Sequence, residues 1–105
     1  MRINKFREKL NAGSPTLGTH IHTTWPSMVE AVGHAGMYDY VEFVGEYGPF
    51  DLHDLDNLAR AGDLHDLSMM IKVDAENREY VAQRAVGSGF HSVLFADCRT
   101  PDEVR

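Results

Sequence analysis

The apolar pattern of this chain switches repeatedly between a period of two and a period near 3.6, with only short connections between the segments. That alternation of strand and helix limits the fold more than any other feature. Strands are predicted at Thr16 to His22, Tyr38 to Val44, Ser68 to Val73 and Ser92 to Ala96. An opening amphipathic helix carries Ile3, Phe6 and Leu10 on one face and ends at Ala12-Gly13. A second helix starts at Pro26, buries Met28, Val29, Val32 and Ala35, and stops at Gly36. A third is capped by Asp51 and buries Leu52, Leu55, Leu58 and Ala59. A fourth runs from Glu76 to Val86 and ends in Gly87-Ser88-Gly89. Thr100-Pro101-Asp102-Glu103 then announces another helix, with a threonine cap, proline at the first position and a glutamate to close a capping box.

Only Val104 and Arg105 follow that start. A single turn does not form alone in water, because nucleation costs more than one turn returns. The expectation is therefore that residues 1–105 are the front part of a longer protein, one partial domain ending at the start of a further helix.

Consecutive β-α units with short loops give parallel strands joined by right-handed crossovers. This leaves a doubly wound sheet or a (β/α) barrel. No glycine-rich phosphate loop follows the first strand, where Thr23-Thr24-Trp25-Pro26-Ser27 stands instead, which weakens a nucleotide-binding reading. In a barrel the chemistry gathers at the C-terminal ends of the strands. Here those ends carry His20 and His22, Glu46 and Tyr47, Lys72 and Asp74, and Asp97 and Cys98. So polar a crown favours the barrel.

The charge balance narrows the partners. With 16 acidic and 10 basic residues the net charge is −6, and no basic stripe is present to neutralise phosphates, which argues against nucleic acid. No stretch is long and apolar enough for a signal peptide or a membrane span, and the single Cys98 suits a reducing compartment, so a cytoplasmic location is expected.

Period-two alternation directs Gly18, His20 and His22 inward on the first strand, Glu42 and Val44 on the second, and Met70 and Lys72 on the third. Glu42 and Lys72 are thus expected to pair, as a structural ion pair or as a lysine poised for an anionic substrate. His20 and His22 are open to a proton-transfer role, to a structural place in the barrel layers, or to metal binding. His34, His53, His65 and His91 are expected to face solvent. Cys98 lacks an assigned base and reads as inert, and Asp51, Asp54 and Asp56 as favourable charge at a helix N-terminus.

The stretch Asp39-Tyr40-Val41-Glu42-Phe43-Val44-Gly45-Glu46-Tyr47-Gly48-Pro49-Phe50-Asp51 resembles the HpcH/HpaI aldolase family, in which a strand leads into acid-histidine-glycine-proline-phenylalanine-aspartate. Asn4 to Gly13, Leu17-Gly18-Thr19, Pro26 to Glu30, Leu58-Ala59-Arg60-Ala61 and Thr100 to Val104 follow the family's order along the chain. The resemblance implies the N-terminal half of a (β/α)8 (TIM) barrel of the phosphoenolpyruvate/pyruvate-binding type. It also implies a divalent-metal-dependent aldolase (Mg, Mn or Co) that makes or breaks a carbon–carbon bond beside a 2-oxo acid such as pyruvate, with an aldehyde as the other partner. It assigns the metal ligands, a glutamate and an aspartate, to later strands and none to this chain. The implied assembly is a homo-oligomer, commonly a hexamer.

By the same resemblance the catalytic positions are Tyr47, His20 and Glu46, and the substrate-binding ones Lys72 and His22. Tyr47 stands where the family has its histidine, Lys72 where it has an arginine, His20 where it has a tryptophan, and Gly87 where it has an aspartate. Either His20 or His22 takes over proton transfer with Tyr47 as a hydrogen-bond donor, or the barrel binds its metabolite without cleaving it. A free-standing, self-associating α/β protein is the alternative from another class, although four barrel strands would leave two open edges.

Overall fold

A computed structural model describes residues 3–105; residues 1 and 2, which fall within the expected domain, lie outside the described residues. Four parallel strands form one sheet: β1 (Gly18–Ile21), β2 (Tyr40–Val44), β3 (Ser68–Val73) and β4 (Ser92–Phe95), in the order β1-β2-β3-β4. Helices α1 (Lys5–Asn11), α2 (Pro26–Ala35), α3 (Leu52–Leu64), α4 (Arg78–Ser88) and α5 (Pro101–Val104) alternate with them. Strand order follows chain order without reversal. Right-handed crossovers then place every connecting helix on the same face, and among the described strands there is no switch point of the doubly wound kind. This is the barrel arrangement.

Burial follows that layering. Val41 and Phe43 on β2 and Met69, Ile71 and Val73 on β3 are at most 1% exposed, packed beneath Val29 of α2 and Leu55 and Leu58 of α3. Glu42, Met70 and Lys72 alternate with them on the opposite, half-buried face. At Gly62 a Cβ would come within 2.5 Å of the Met69 side chain, so glycine is what lets α3 approach β3. The third helix begins at a reciprocal capping box: Asp51 accepts from the Asp54 N–H, and the Asp54 carboxylate accepts from the Asp51 N–H, each at 2.9 Å. The same box closes α5 between Thr100 and Glu103.

Several expectations shift. Strand β1 spans four residues rather than seven, paired with β2 over Gly18↔Tyr40 to Ile21↔Phe43. Met28 is 46% exposed, Ala35 is exposed and Leu52 is 41% exposed, so the buried stripes of α2 and α3 are narrower than predicted. Helix α4 starts at Arg78 rather than Glu76, since the Asp74 carboxylate accepts from the N–H groups of Glu76 and Asn77 and holds those residues in a turn. It continues through Gly87 and ends at Gly89, whose φ of 115° suits glycine.

The opening helix differs most. Ile3 is 70% and Leu10 54% exposed, and no residue of α1 is buried. This short helix is held across the N-terminal ends of the strands by polar contacts. Asn4 Nδ2 donates to the His91 carbonyl at 2.9 Å, Ser68 Oγ donates to Asn4 Oδ1, the Phe6 N–H donates to Ser68 Oγ, and Lys9 pairs with Asp39. Its one apolar anchor is the Phe6 ring, 4.5 Å from that of Tyr40. Tyr40 in turn lies over Gly18, where a Cβ would sit 2.2 Å from its ring.

His91 is not a solvent-facing residue. It is half-buried, and its Nδ1 accepts from the Met69 N–H at 3.3 Å. Burial pushes its pKa down, against a smaller upward pull from Asp63. A histidine whose folded pKa is depressed binds fewer protons folded than unfolded. Its stabilising contribution is therefore complete above the unfolded value, near 6.5, and is lost as the pH falls below it. Urea midpoints measured between pH 7.5 and 5 are expected to fall on the acid side, and His91→Gln, which keeps an acceptor without titrating, to flatten that limb.

Candidate active site

The C-terminal ends of β2 and β3 bring together three of the predicted site residues. Val44 closes β2, and the chain turns through Gly45-Glu46-Tyr47-Gly48, with the Gly48 N–H donating to the Val44 carbonyl at 2.9 Å. A Cβ on Gly48 would lie 2.9 Å from the His22 carbonyl oxygen, so glycine lets this turn close against the end of β1.

Lys72 does not take Glu42 as its ion-pair partner. Its register partner is Val44, one pleat beyond Glu42, and the long side chain leans further along the strand direction. The ammonium reaches Glu46 instead, Nζ to Oε1 at 3.4 Å, and lies 5.4 Å from the centre of the Tyr47 ring, within cation–π range. Glu42 adds only a longer-range favourable charge.

The Glu46 side chain is 7% exposed, and its Oε2 is buried with no hydrogen-bond partner among the described residues. Such an acceptor costs about 1–3 kcal/mol unless something donates to it. Desolvation pulls the Lys72 pKa down, but its hydrogen bond to Glu46 and the charges of Glu46, Tyr47 and Glu42 outweigh this, leaving it above the ordinary lysine value. The Tyr47 phenol is also raised, by its hydrogen bond to Glu46 and then by the charge of that carboxylate. The ring itself is 71% exposed. At neutral pH the site thus presents an ammonium and a protonated phenol around one buried carboxylate.

His20 and His22 are both exposed on β1 and just beyond it, their ring centres 5.4 Å apart. Asp97 adopts a left-handed φ of 58° at the end of β4, and its charge contributes to raising Tyr47. Cys98 is exposed, with Arg78 Nη1 4.0 Å from its sulfur. Gly87 is remote in kind: a side chain there would meet nothing within 4 Å. Among the described residues no three His, Cys, Asp or Glu side chains converge to hold a metal ion. The Lys72 ammonium beside Glu46 weighs against a cation at that carboxylate.

No family profile and no curated protein matches the sequence. Solved structures do match in fold. An HpcH/HpaI aldolase/citrate lyase family protein from Burkholderia cenocepacia J2315 superposes with a TM-score of 0.79 and 28% identity over 96% of this chain and 40% of its own. The chain has the fold of the HpcH/HpaI aldolase/citrate lyase family. The citrate synthase SbnG matches with a TM-score of 0.76 at 21% identity over 85% of this chain and 36% of its own. An HpcH/HpaI aldolase from Desulfitobacterium hafniense DCB-2 matches at 0.71 and 20%, over 83% and 33%. The chain spans between 33% and 40% of these three structures. Of the four positions at which the sequence departs from the motif it resembles, Tyr47 and Lys72 adjoin Glu46.

The sequence missed the Lys72–Glu46 pairing because it weighed strand residues against each other and left the following turn out. The rule that lysine reaches forward along its strand would have favoured Glu46. It also missed the His34–His65 ring contact, 4.6 Å between centres, which joins the ends of α2 and α3 where Gly33 leaves room for the His65 ring.

Proposed function

We propose that this chain forms the first four strands of a (β/α)8 carbon–carbon lyase that cleaves or joins a bond beside a 2-oxo acid such as pyruvate, with an aldehyde as the other partner. The observation that carries the reading is the Lys72–Glu46–Tyr47 cluster at the C-terminal ends of β2 and β3, in a fold shared with HpcH/HpaI aldolases.

Lys72 stays protonated through its carboxylate partner, so it acts as a fixed positive charge for the acid's carboxylate or the developing enolate, not as an imine-forming nucleophile. Tyr47 holds its proton more firmly than a free phenol and serves as a donor, leaving His20 or His22 to move protons. Glu46 orients both neighbours and keeps one oxygen for a further donor, such as a water. A divalent ion (Mg, Mn or Co), where the full protein supplies its carboxylate ligands, would act as a Lewis acid on the oxo acid.

The test is pyruvate release from 4-hydroxy-2-oxo acids by the full-length protein with added Mg²⁺ or Mn²⁺. Lys72→Ala is expected to lower kcat/KM by roughly 10–100-fold, the worth of a hydrogen bond to a charged group. Unchanged turnover in that variant removes Lys72 from substrate binding. Binding of a 2-oxo acid without turnover in the wild type would instead make the protein a non-catalytic metabolite-binding barrel.

A further inference from the structure

We propose that Arg78 and Arg99 form an anion subsite that takes the phosphate end of a phosphorylated aldehyde, the partner of the 2-oxo acid. The aldehyde rests on the lyase reading; the phosphate rests on the two arginines alone. A cavity of about 260 Å³ opens beyond the C-terminal ends of β3 and β4, lined by Ala75, Arg78, Asp97, Arg99 and Glu103. One water takes up about 30 Å³ of the liquid, so the cavity has room for a phosphate group and the chain that carries it.

The two guanidiniums arrive from different elements. Arg78 is the first residue of α4, and Arg99 lies in the connection between β4 and α5. Among the described residues neither makes an ion pair. Arg78 Nη1 stands 4.0 Å from the Cys98 sulfur, a weak acceptor that leaves its charge uncommitted. The carboxylate of Glu103 is occupied at the start of α5, where it accepts from the N–H groups of Arg99 and Thr100. A carboxylate ligand has two oxygens and is filled by a single guanidinium fork. A terminal phosphate has three, enough for forks arriving from two sides. Two separate arginines on one cavity therefore suit phosphate.

The cavity adjoins the candidate active site. Ala75 follows Lys72 out of β3, and Asp97 is near enough for its charge to act on Tyr47. With the oxo acid's carboxylate on Lys72, an aldehyde extending toward β4 carries its far end to the arginines. Asp97, between the two, is an acceptor for a hydroxyl on that chain.

The experiment is condensation of pyruvate with glyceraldehyde 3-phosphate, with glyceraldehyde and with the carboxylated aldehyde 4-oxobutanoate, by the full-length protein with Mg²⁺ or Mn²⁺. Wild type is compared with Arg78→Gln, Arg99→Gln and the control Arg84→Gln, whose guanidinium lies over the Tyr80 ring at 4.8 Å on the same helix. Wild type is expected to prefer the phosphorylated aldehyde. Each subsite variant is expected to lose about 10–100-fold in kcat/KM for it, the worth of a hydrogen bond to a charged group, mainly through KM. Turnover of glyceraldehyde, and the control, are expected to be unchanged. Equal kcat/KM for glyceraldehyde and its phosphate, or a loss in the variants confined to 4-oxobutanoate, overturns the proposal. If no aldehyde is turned over, the lyase reading fails, and calorimetric titration with inorganic phosphate decides the subsite separately. Phosphate binding that weakens in both subsite variants supports it; binding that is absent, or equal in all four proteins, overturns it. Neither arginine is buried, and circular-dichroism melts confirm that the variants fold.

Discussion

Phe43→Ala is expected to destabilise the protein by about 3–5 kcal/mol, the usual cost of emptying a fully buried aromatic site. Phe43 is 0% exposed at the centre of β2, its ring set edge-on to Phe50 at 5.6 Å and directly under the Gly48 turn. Close packing around it leaves no neighbour free to fill the space, so the cavity penalty adds to the lost transfer energy. Against a typical stability of roughly 5–15 kcal/mol such a loss is a large share, and it raises the unfolded-to-folded ratio by roughly 10²–10⁴-fold. The comparison residue is Leu64, on α3 but 73% exposed, where alanine is expected to change stability by less than about 0.5 kcal/mol. Urea unfolding of the two variants measures the difference, and equal midpoints would contradict the core described above. Because Phe43 and Phe50 flank the segment carrying Glu46 and Tyr47, the site is expected to loosen with the core.

Tyr47→Phe is expected to lower kcat by about 10²–10³-fold with little change in KM, the size of effect that follows loss of one donor to a developing oxyanion. The substitution keeps the ring beneath the Lys72 ammonium and removes only the hydroxyl. The pH dependence separates donor from base. Since the carboxylate of Glu46 raises the phenol above its ordinary value, Tyr47 remains protonated throughout the working range. The variant is therefore expected to lose rate while keeping the shape of the pH–rate profile. A profile that loses its basic limb in the phenylalanine variant would instead show the phenol titrating during turnover. An unchanged kcat would remove it from the chemistry.

The strand–helix order was legible because each element announces itself locally. Ser68 to Val73 is a run of β-formers bounded by turns, and β3 has those same limits. Asp51 and Thr100 each sit three residues before an acidic partner, and both helices begin there with a closed capping box. Phe6 was placed correctly on the inner side of α1, but Ile3 and Leu10 were not. Their spacing fits an amphipathic stripe, whereas a seven-residue helix lying across the strand ends has room for a single apolar anchor.

The candidate site divides the same way. Sequence determined the parallel α/β fold, the face on which each strand residue lies, and the crown of polar groups at the strand ends, because periodicity and capping act over a few residues. Tertiary structure decided which members of that crown meet. Lys72 joins Glu46 and not Glu42, the Glu46 carboxylate is buried with one oxygen unclaimed, and His91 turns inward to accept from Met69. Those outcomes depend on strand register, on side-chain reach and on how closely a turn can approach its neighbour, which are distances set only when the strands are side by side.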